Sequence, residues 1–211
     1  MLVKICGITR LEDAELAVSC GANAVGFVFW RNSPRFIDPV RAQAIAAALP
    51  PFVTPVGVFV NQPAEDVNAV ATLVGLGDVQ LHGDETVEYA AAMTRPVLKA
   101  LTLTTTADHT FDRWPPATMV LLDAHDPVRR GGTGMTVDWT RAASIAARRP
   151  IVLAGGLTSG NVVDAIDRVR PFGIDVSSGV ESSPGIKDEA RIRALFAALS
   201  DGEAVVRKGV S

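Results

Sequence analysis

A short apolar run recurs eight times along this chain, and a helix-like stretch follows it each time. The run Ala24–Trp30 is apolar at every position, which is typical of a parallel strand covered by helices. Eight alternating units of about 24 residues predict an α/β chain closed as a single (β/α)8 or TIM barrel. The predicted strands are Leu2–Cys6, Ala24–Trp30, Pro55–Val60, Asp78–Leu81, Val97–Leu101, Thr118–Leu122, Ile151–Ala154 and Gly173–Val176.

The competing architecture is an open, doubly wound sheet, which usually carries a glycine-rich turn after its first strand. Here the glycine-rich turns follow the seventh and eighth predicted strands instead. No linker divides the chain, and the pattern therefore favours one barrel domain over residues 1–200. Residues 201–211 show no packing pattern, and we expect them to form a frayed tail.

Several connections between the strands can also be predicted. Thr9 is a candidate cap for the first helix, and Thr158 or Ser159 is expected to begin the helix after the seventh strand. The polar stretch 102–116 predicts a stunted or irregular fifth helix. The glycine-rich, basic segment 124–136 predicts a long mobile loop, and the last helix is expected to run from about Lys187 to Leu199.

Composition limits the classes of partner. Of the 211 residues, 48% are hydrophobic and 20% are charged, and the formal net charge is −3 without a basic run that would suggest nucleic acid. No apolar run approaches the roughly 20 residues of a membrane helix, and no signal-peptide pattern opens the chain. Cys6 and Cys20 form neither a CxxC motif nor a metal-ligand cluster. We expect a cytoplasmic protein that acts on a small molecule, without nucleic-acid or membrane partners.

Polar side chains at the carboxyl ends of the predicted strands are the candidate site residues, because chemistry in such barrels sits there. Cys6 ends the first strand, and Asp123 follows the apolar sixth strand as a catalytic or a structural carboxyl group. Arg35 lies in the loop after the second strand, where it could bind a carboxylate or remain a solvated charge. Gln80 and His82 share one face of the fourth strand, and His82 could bind substrate or satisfy a buried carbonyl.

The thiol of Cys6 has two possible roles. It could be a small buried hydrophobic group, or a reactive thiolate, which needs a nearby cation or dipole. Strand alternation places Lys4 on the same face as Cys6, pointing into the barrel mouth. A carboxyl group such as Asp123, partly buried near a bound dianion, would favour its protonated form and could act as an acid.

The glycine turns indicate a phosphate ligand. The segments AGGL and DVSSGVE each end a strand and begin a helix, and glycine lets backbone N–H groups approach an anion closely. In these barrels the phosphate site is frequently formed by the loops after strands seven and eight. The alternative is that these glycines only form tight turns. The predicted phosphate-binding residues are Gly155, Gly156, Ser178 and Gly179.

The opening segment VKICGIT resembles that of the phosphoribosylanthranilate isomerase family of tryptophan biosynthesis. Four later segments match the same family in order, and the match extends from residue 2 to about residue 200. The matching segments are QLHG (Gln80–Gly83), LLDA (Leu121–Ala124), LAGGL (Leu153–Leu157) and DVSSGVE (Asp175–Glu181).

This resemblance implies a TIM barrel that isomerises N-(5-phosphoribosyl)anthranilate to 1-(2-carboxyphenylamino)-1-deoxyribulose 5-phosphate, an Amadori rearrangement. The motif residues of the family fall on Cys6 as general base and Asp123 as general acid. The reaction involves neither redox change nor hydrolysis, so the resemblance implies no metal and no organic cofactor. A phosphorylated small-molecule substrate and a monomer or homodimer complete the expectation.

Two alternatives remain from the sequence. One is another phosphosugar barrel, such as the histidine-pathway isomerase or a bifunctional version of it. Those proteins carry an aspartate base at the end of the first strand, where this chain has Cys6. The other is a non-catalytic barrel that binds a phosphate ligand, which would explain the glycine turns but not the presence of both Cys6 and Asp123.

Overall fold

The computed structural model describes residues 1–103, 111–123 and 138–208, and it describes side chains as far as residue 201. The predicted loop 124–136 lies outside the described residues, as does much of the polar stretch after the fifth strand. Within the described part, no helix is long and apolar enough to cross a membrane.

Eight parallel strands close into a barrel in sequence order, and β8 pairs with β1 to complete it. This confirms the predicted fold class. Each strand lies within two residues of its predicted bounds at either end. The strands are β1 Leu2–Cys6, β2 Ala24–Val28, β3 Thr54–Phe59, β4 Asp78–Leu81, β5 Val97–Thr102, β6 Met119–Asp123, β7 Ile151–Leu153 and β8 Gly173–Val176.

Seven α-helices pack around the described part of the barrel. The second of them begins as predicted, with Asp38 accepting a hydrogen bond from the Val40 N–H at 2.9 Å and Pro39 in the first turn. The helices are α1 Leu11–Cys20, α2 Pro39–Ala47, α3 Ala64–Val74, α4 Val87–Ala91, α5 Trp139–Ala146, α6 Val162–Val169 and α7 Glu189–Lys208.

Two predicted helix starts and one predicted helix end were wrong. Arg10, not Thr9, is the cap residue of α1, and the Thr9 hydroxyl instead donates to the Gly185 carbonyl at 2.5 Å. Helix α6 begins only at Val162, because the side chain of Asn161 first closes the preceding turn. Helix α7 continues to Lys208 rather than ending near residue 199.

Strand alternation divides the apolar side chains into two layers. The larger layer lies between the strands and the helices, and it includes Phe27, Phe59 and Leu122. The smaller layer fills the barrel interior, so the closed sheet is a packed core rather than a pore. Its members are Leu98, Ala100, Leu121, Val152 and Ala154, and Cys6, Val28 and Val58 form a second interior group.

The fifth βα connection is described only in part, since residues 104–110 lie outside the described ranges. Its described part contains a single 3-10 turn, Phe111–Arg113. The Arg149 guanidinium holds this segment by donating to four backbone carbonyls at 2.6–3.2 Å, those of Phe111, Trp114, Pro115 and Thr118.

A short hairpin after β8 was not predicted. Its strands, β9 Glu181–Ser183 and β10 Ile186–Lys187, are antiparallel and lie outside the barrel sheet. Strands of two and three residues carry no recognisable alternation, and therefore periodicity cannot detect them. Gly185 allows the turn with a φ of 80°. The hairpin places Glu181 and Lys187 next to the barrel mouth.

Candidate active site

A cavity of about 660 Å³ opens at the carboxyl ends of the barrel strands. Every site residue predicted from the sequence lines this cavity. The strands or the loops that follow them contribute each of these side chains, as the closed parallel topology requires. The predicted residues that line it are Cys6, Arg35, Gln80, His82, Asp123, Gly155, Gly156, Ser178 and Gly179.

Cys6 ends β1 with its side chain toward the barrel interior, where a buried cation lies close by. An added Cβ on Gly26 would lie 2.7 Å from Cys6 Sγ and 3.0 Å from Lys4 Nζ, so both groups approach the same glycine. Lys4 Nζ donates to Asp175 Oδ1 at 2.9 Å, across the β1–β8 pair. The face shared by Lys4 and Cys6 is therefore the predicted one.

Burial and neighbouring charges have different net effects on the pKa values of these two groups. Burial raises the pKa of the Cys6 thiol above its ordinary value, although the charge of Lys4 acts in the opposite direction. Burial would lower the pKa of Lys4, but the charge of the Asp175 carboxylate, which accepts its hydrogen bond, holds it above its ordinary value. Lys4 is therefore a fixed cation, and Cys6 is mostly a protonated thiol at neutral pH.

Three polar side chains form a chain on the opposite wall. Gln80 Nε2 lies 3.1 Å from His82 Nδ1, and His82 Nε2 lies 3.4 Å from Asp123 Oδ2. If the amide nitrogen of Gln80 donates to Nδ1, the imidazole carries its proton on Nε2 and turns a donor toward Asp123. Gln80 Oε1 is buried and makes no hydrogen bond within the described residues. These contacts link β4 to β6, which are not neighbouring strands. The sequence therefore could not predict that these side chains meet.

Arg35 already has a carboxylate partner. Its Nε lies 2.9 and 3.1 Å from the two Glu181 oxygens, and its Nη2 lies 2.6 Å from Oε2. Nη1 makes no hydrogen bond to a described residue. The aliphatic part of Arg35 crosses the backbone at Gly7, where an added Cβ would lie 2.7 Å from Arg35 Cδ. The arginine is thus a held side chain, only 11% exposed, rather than a solvated surface charge.

The two glycine turns lie side by side after β7 and β8. Gly155 and Gly156 have φ values of 84° and 62°, which explains why glycine is needed at both positions. The N–H groups of the four predicted phosphate-binding residues take no part in the hydrogen bonds among the described residues. They are therefore donors that an anion could use.

Gly179 is also needed for the packing of the two turns. An added Cβ there would overlap the Leu157 carbonyl oxygen, which belongs to the other turn. Glycine at this position therefore lets the two turns pack together. Direct approach of a ligand is not needed to explain it, although Gly179 lines the cavity.

The sequence did not predict the roles of two charged residues in this region, and it predicted the wrong element for a third. Asp175 and Glu181 both belong to the quoted DVSSGVE segment, but strand position alone assigned them no partner. The sequence predicts a helix start at about Lys187, but the structure places Lys187 in the hairpin with a fully buried side chain. No group of three or more histidine, cysteine or acidic side chains in the described ranges is arranged to hold a metal ion.

Comparison with known proteins identifies the family of this cavity. The family model described as "N-(5'phosphoribosyl)anthranilate (PRA) isomerase" matches residues 3–198. The chain belongs to this family. Membership makes it an isomerase of tryptophan biosynthesis, as the resemblance implied, rather than a non-catalytic binding barrel.

Individual members of the N-(5'-phosphoribosyl)anthranilate isomerase family agree with this assignment. The Geobacter sulfurreducens enzyme is 50% identical over 191 residues, which cover 90% of this chain and 94% of the relative. The crystal structure of the Thermus thermophilus enzyme has a TM-score of 0.88 and 43% identity, and the match covers 95% and 99% of the two chains.

A third member of the family was solved with a ligand. It is a phosphoribosyl anthranilate isomerase in complex with reduced 1-(o-carboxyphenylamino)-1-deoxyribulose 5-phosphate. Its TM-score is 0.84 at 42% identity, and the match covers 95% of this chain and 100% of that one.

Proposed function

We propose that this chain converts N-(5-phosphoribosyl)anthranilate into 1-(2-carboxyphenylamino)-1-deoxyribulose 5-phosphate, with Cys6 as general base and Asp123 as general acid. One observation carries the proposal: a single cavity contains both side chains, and the glycine turns after β7 and β8 lie between their strands. The ligand of the related enzyme is named as the reduced form of the product proposed here.

The rearrangement needs one acid and one base on a substrate held at both ends. The acid, Asp123, protonates the furanose ring oxygen, and the bond from that oxygen to C1 breaks to give an iminium ion. The base, Cys6, removes the proton from C2, and the electron pair neutralises the iminium nitrogen to form an enolamine. The enolamine then tautomerises to the ketone. No electrons enter or leave the substrate, which is why we predict no metal and no organic cofactor.

The surroundings of Cys6 support its role as the base. The thiol becomes a competent base only as the thiolate, and the Lys4 ammonium is the nearby cation that favours this form. Because burial outweighs that cation and raises the pKa of Cys6, the thiolate is a minor species at neutral pH. Its reactivity is correspondingly high, since a more basic thiolate removes a carbon-bound proton more readily.

The opposite wall supports the acid. Asp123 is 5% exposed and lies beside His82, whose Nε2 is 3.4 Å from its carboxylate. A donor at this distance can orient the carboxyl group while it gives up its proton. Gln80 Oε1, a buried oxygen without a partner among the described residues, can accept a hydrogen bond from a substrate hydroxyl or N–H group. We therefore assign Gln80 and His82 to substrate binding.

The two ends of the substrate have separate anchors. The phosphate would lie against the N–H groups of Gly155, Gly156, Ser178 and Gly179, without an arginine or lysine in either turn. The anthranilate carboxylate would lie against Arg35, whose Nη1 makes no hydrogen bond to a described residue. A monomeric or homodimeric enzyme stays a prediction. The molecular mass measured by sedimentation would distinguish the two states.

The first experiment removes the acid and the base separately. Cys6→Ala and Asp123→Asn should each lower kcat by about 10²–10⁴-fold, the usual contribution of a general acid or base. The assay follows loss of the fluorescent anthranilate substrate, and circular dichroism reports on the fold. Cys20→Ala and Asp112→Asn are matched controls outside the cavity. A folded Cys6 or Asp123 variant with wild-type kcat would remove that residue from the mechanism.

A further inference from the structure

Three charged side chains form one buried ion cluster beside the cavity. Arg35, Glu181 and Lys187 have side-chain exposures of 11%, 4% and 0%. The cluster joins the loop after β2 to the hairpin after β8. Strands β2 and β8 are the two neighbours of β1 in the barrel. We call it the Arg35 cluster. A single carboxylate faces two cations, which leaves the cluster with a net positive charge.

The Glu181 carboxylate determines the orientation of the guanidinium group. It accepts from Arg35 Nε and Nη2 at 2.6–3.1 Å, from Lys187 Nζ at 2.8 Å and from the Gly185 N–H at 3.3 Å. A bidentate pair fixes the guanidinium plane as well as its position. Burial would raise the pKa of Glu181, but the Arg35 hydrogen bonds and the Lys187 charge hold it below its ordinary value. The carboxylate is therefore ionised, as this pairing requires.

Lys187 ties the same carboxylate to the loop of the proposed base. Its Nζ donates to the Cys6 carbonyl at 2.5 Å and lies 3.3 Å from the Ser177 carbonyl. Its backbone N–H donates to Asp13 Oδ2 at 3.1 Å. Glu181 thus cannot shift without breaking contacts to the backbone after β1 and after β8. The orientation of Arg35 is coupled in this way to the two turns that carry the reaction.

Stability alone is a weak explanation for this arrangement. A buried ion pair contributes little, on balance, compared with apolar side chains of similar volume. Here the two cations converge on one carboxylate at the wall of the cavity, and only one of them, Arg35, lines it. A carboxylate that binds Nε and Nη2 leaves Nη1 as the guanidinium donor for a ligand. The geometry suits orientation of a binding group.

We propose that Glu181, itself held by Lys187, is a positioning residue that orients Arg35 toward the carboxylate of the substrate. This inference rests on the proposed function, because it assumes that Arg35 binds that carboxylate. Glu181 does not line the cavity, and it acts through Arg35 alone. Substitution of Glu181 should therefore raise KM only in a protein that retains Arg35.

A double-mutant cycle tests this dependence. Arg35→Ala and Glu181→Gln should each raise KM by about tenfold or more, the effect of losing or misaligning a charge-assisted hydrogen bond. The double variant should have the KM of Arg35→Ala within about twofold. The inhibition constant of inorganic phosphate, which has no carboxylate, should stay unchanged in all three. Glu189→Gln is the matched control, because its partner Arg193 lies 2.9 Å away in an exposed pair.

Each alternative outcome identifies a different error. If the KM effects of Arg35→Ala and Glu181→Gln multiply, Glu181 acts independently of Arg35 and the positioning role is wrong. If phosphate inhibition weakens together with substrate binding, Glu181 only holds the turn. If Arg35→Ala keeps the wild-type KM, the carboxylate role of Arg35 itself fails, and the inference fails with it. The same cycle with Glu181→Asp, which retains the charge beside Lys187, decides the question if the Gln double variant does not fold.

Discussion

Gly7 offers a substitution whose effects on stability and on binding can be separated. It follows Cys6 directly and has a φ of 78°, a conformation that L side chains rarely adopt. In Gly7→Ala the new Cβ would lie 2.7 Å from Arg35 Cδ, 3.2 Å from Ser177 Oγ and 3.4 Å from Arg35 Cγ. Gly75 has nearly the same φ, 74°, and an added Cβ there meets nothing within 4 Å. Gly75→Ala is therefore a matched control for the backbone strain.

The expected magnitudes follow from this comparison. A left-handed alanine costs roughly 1–2 kcal/mol, so both variants should lose about that much free energy of unfolding. For a chain of this length the loss corresponds to a fall in melting temperature of roughly 2–8 °C. The Arg35 stem will move rather than be compressed, and Lys187 still pairs with the Glu181 carboxylate at 2.8 Å, so the contact adds little to the loss. Its displacement should instead raise KM by about tenfold, since the guanidinium leaves its hydrogen-bonded position.

Urea unfolding measures the stability term, and substrate fluorescence measures kcat and KM. We expect similar unfolding free energies for Gly7→Ala and Gly75→Ala, with a raised KM only in Gly7→Ala. Inorganic phosphate should inhibit both variants as it inhibits the unaltered enzyme, because it makes no use of Arg35. A wild-type KM in Gly7→Ala, or an equal rise in Gly75→Ala, would refute the link between Gly7 and Arg35.

Two further predictions concern ionisable groups. Because burial raises the pKa of Cys6, the thiolate fraction, and with it the rate at which iodoacetamide alkylates Cys6 in a Cys20→Ala background, should increase from about pH 6 to about pH 9; an alkylation rate that is flat over this range would contradict a raised pKa of the Cys6 thiol. Lys99 Nζ lies 2.7 Å from Glu85 Oε2, and both side chains are 2% exposed. Lys99→Met should lower the unfolding free energy in urea by about 3–5 kcal/mol, since it leaves a buried carboxylate without its cation; a loss under about 1 kcal/mol would show that the pair is not energetically coupled.

The sequence alone determined the barrel and the location of its site. Short runs that are apolar on both faces, each followed by a helical stretch, have few solutions other than eight parallel strands. Once the strands are parallel, their carboxyl ends must meet at one rim. Residues as distant as Cys6 and Asp123 could therefore be placed in one cavity before any contact was known, and both line it.

Local signals were less reliable for turns and caps. The Asp38–Pro39 helix start was recognised because its whole mechanism lies within three residues. Thr9 has the chemistry of a cap, but its hydroxyl found the Gly185 carbonyl, 176 residues away. A hydroxyl group that could either cap a helix or bind a distant carbonyl forms its hydrogen bond with whichever partner the tertiary structure brings closer.

Tertiary structure alone decided the partners of the charged groups. Lys4 meets Asp175 across 171 residues, and Arg35 meets Glu181 across 146. Such pairs form only when the barrel closes and the hairpin folds over it, and no local pattern encodes the geometry of that closure. The same limit applies to Gly179, whose sequence context indicates a ligand while its Cβ position faces the Leu157 carbonyl. Sequence determines which groups reach the rim, and the distances across the rim determine which of them act together.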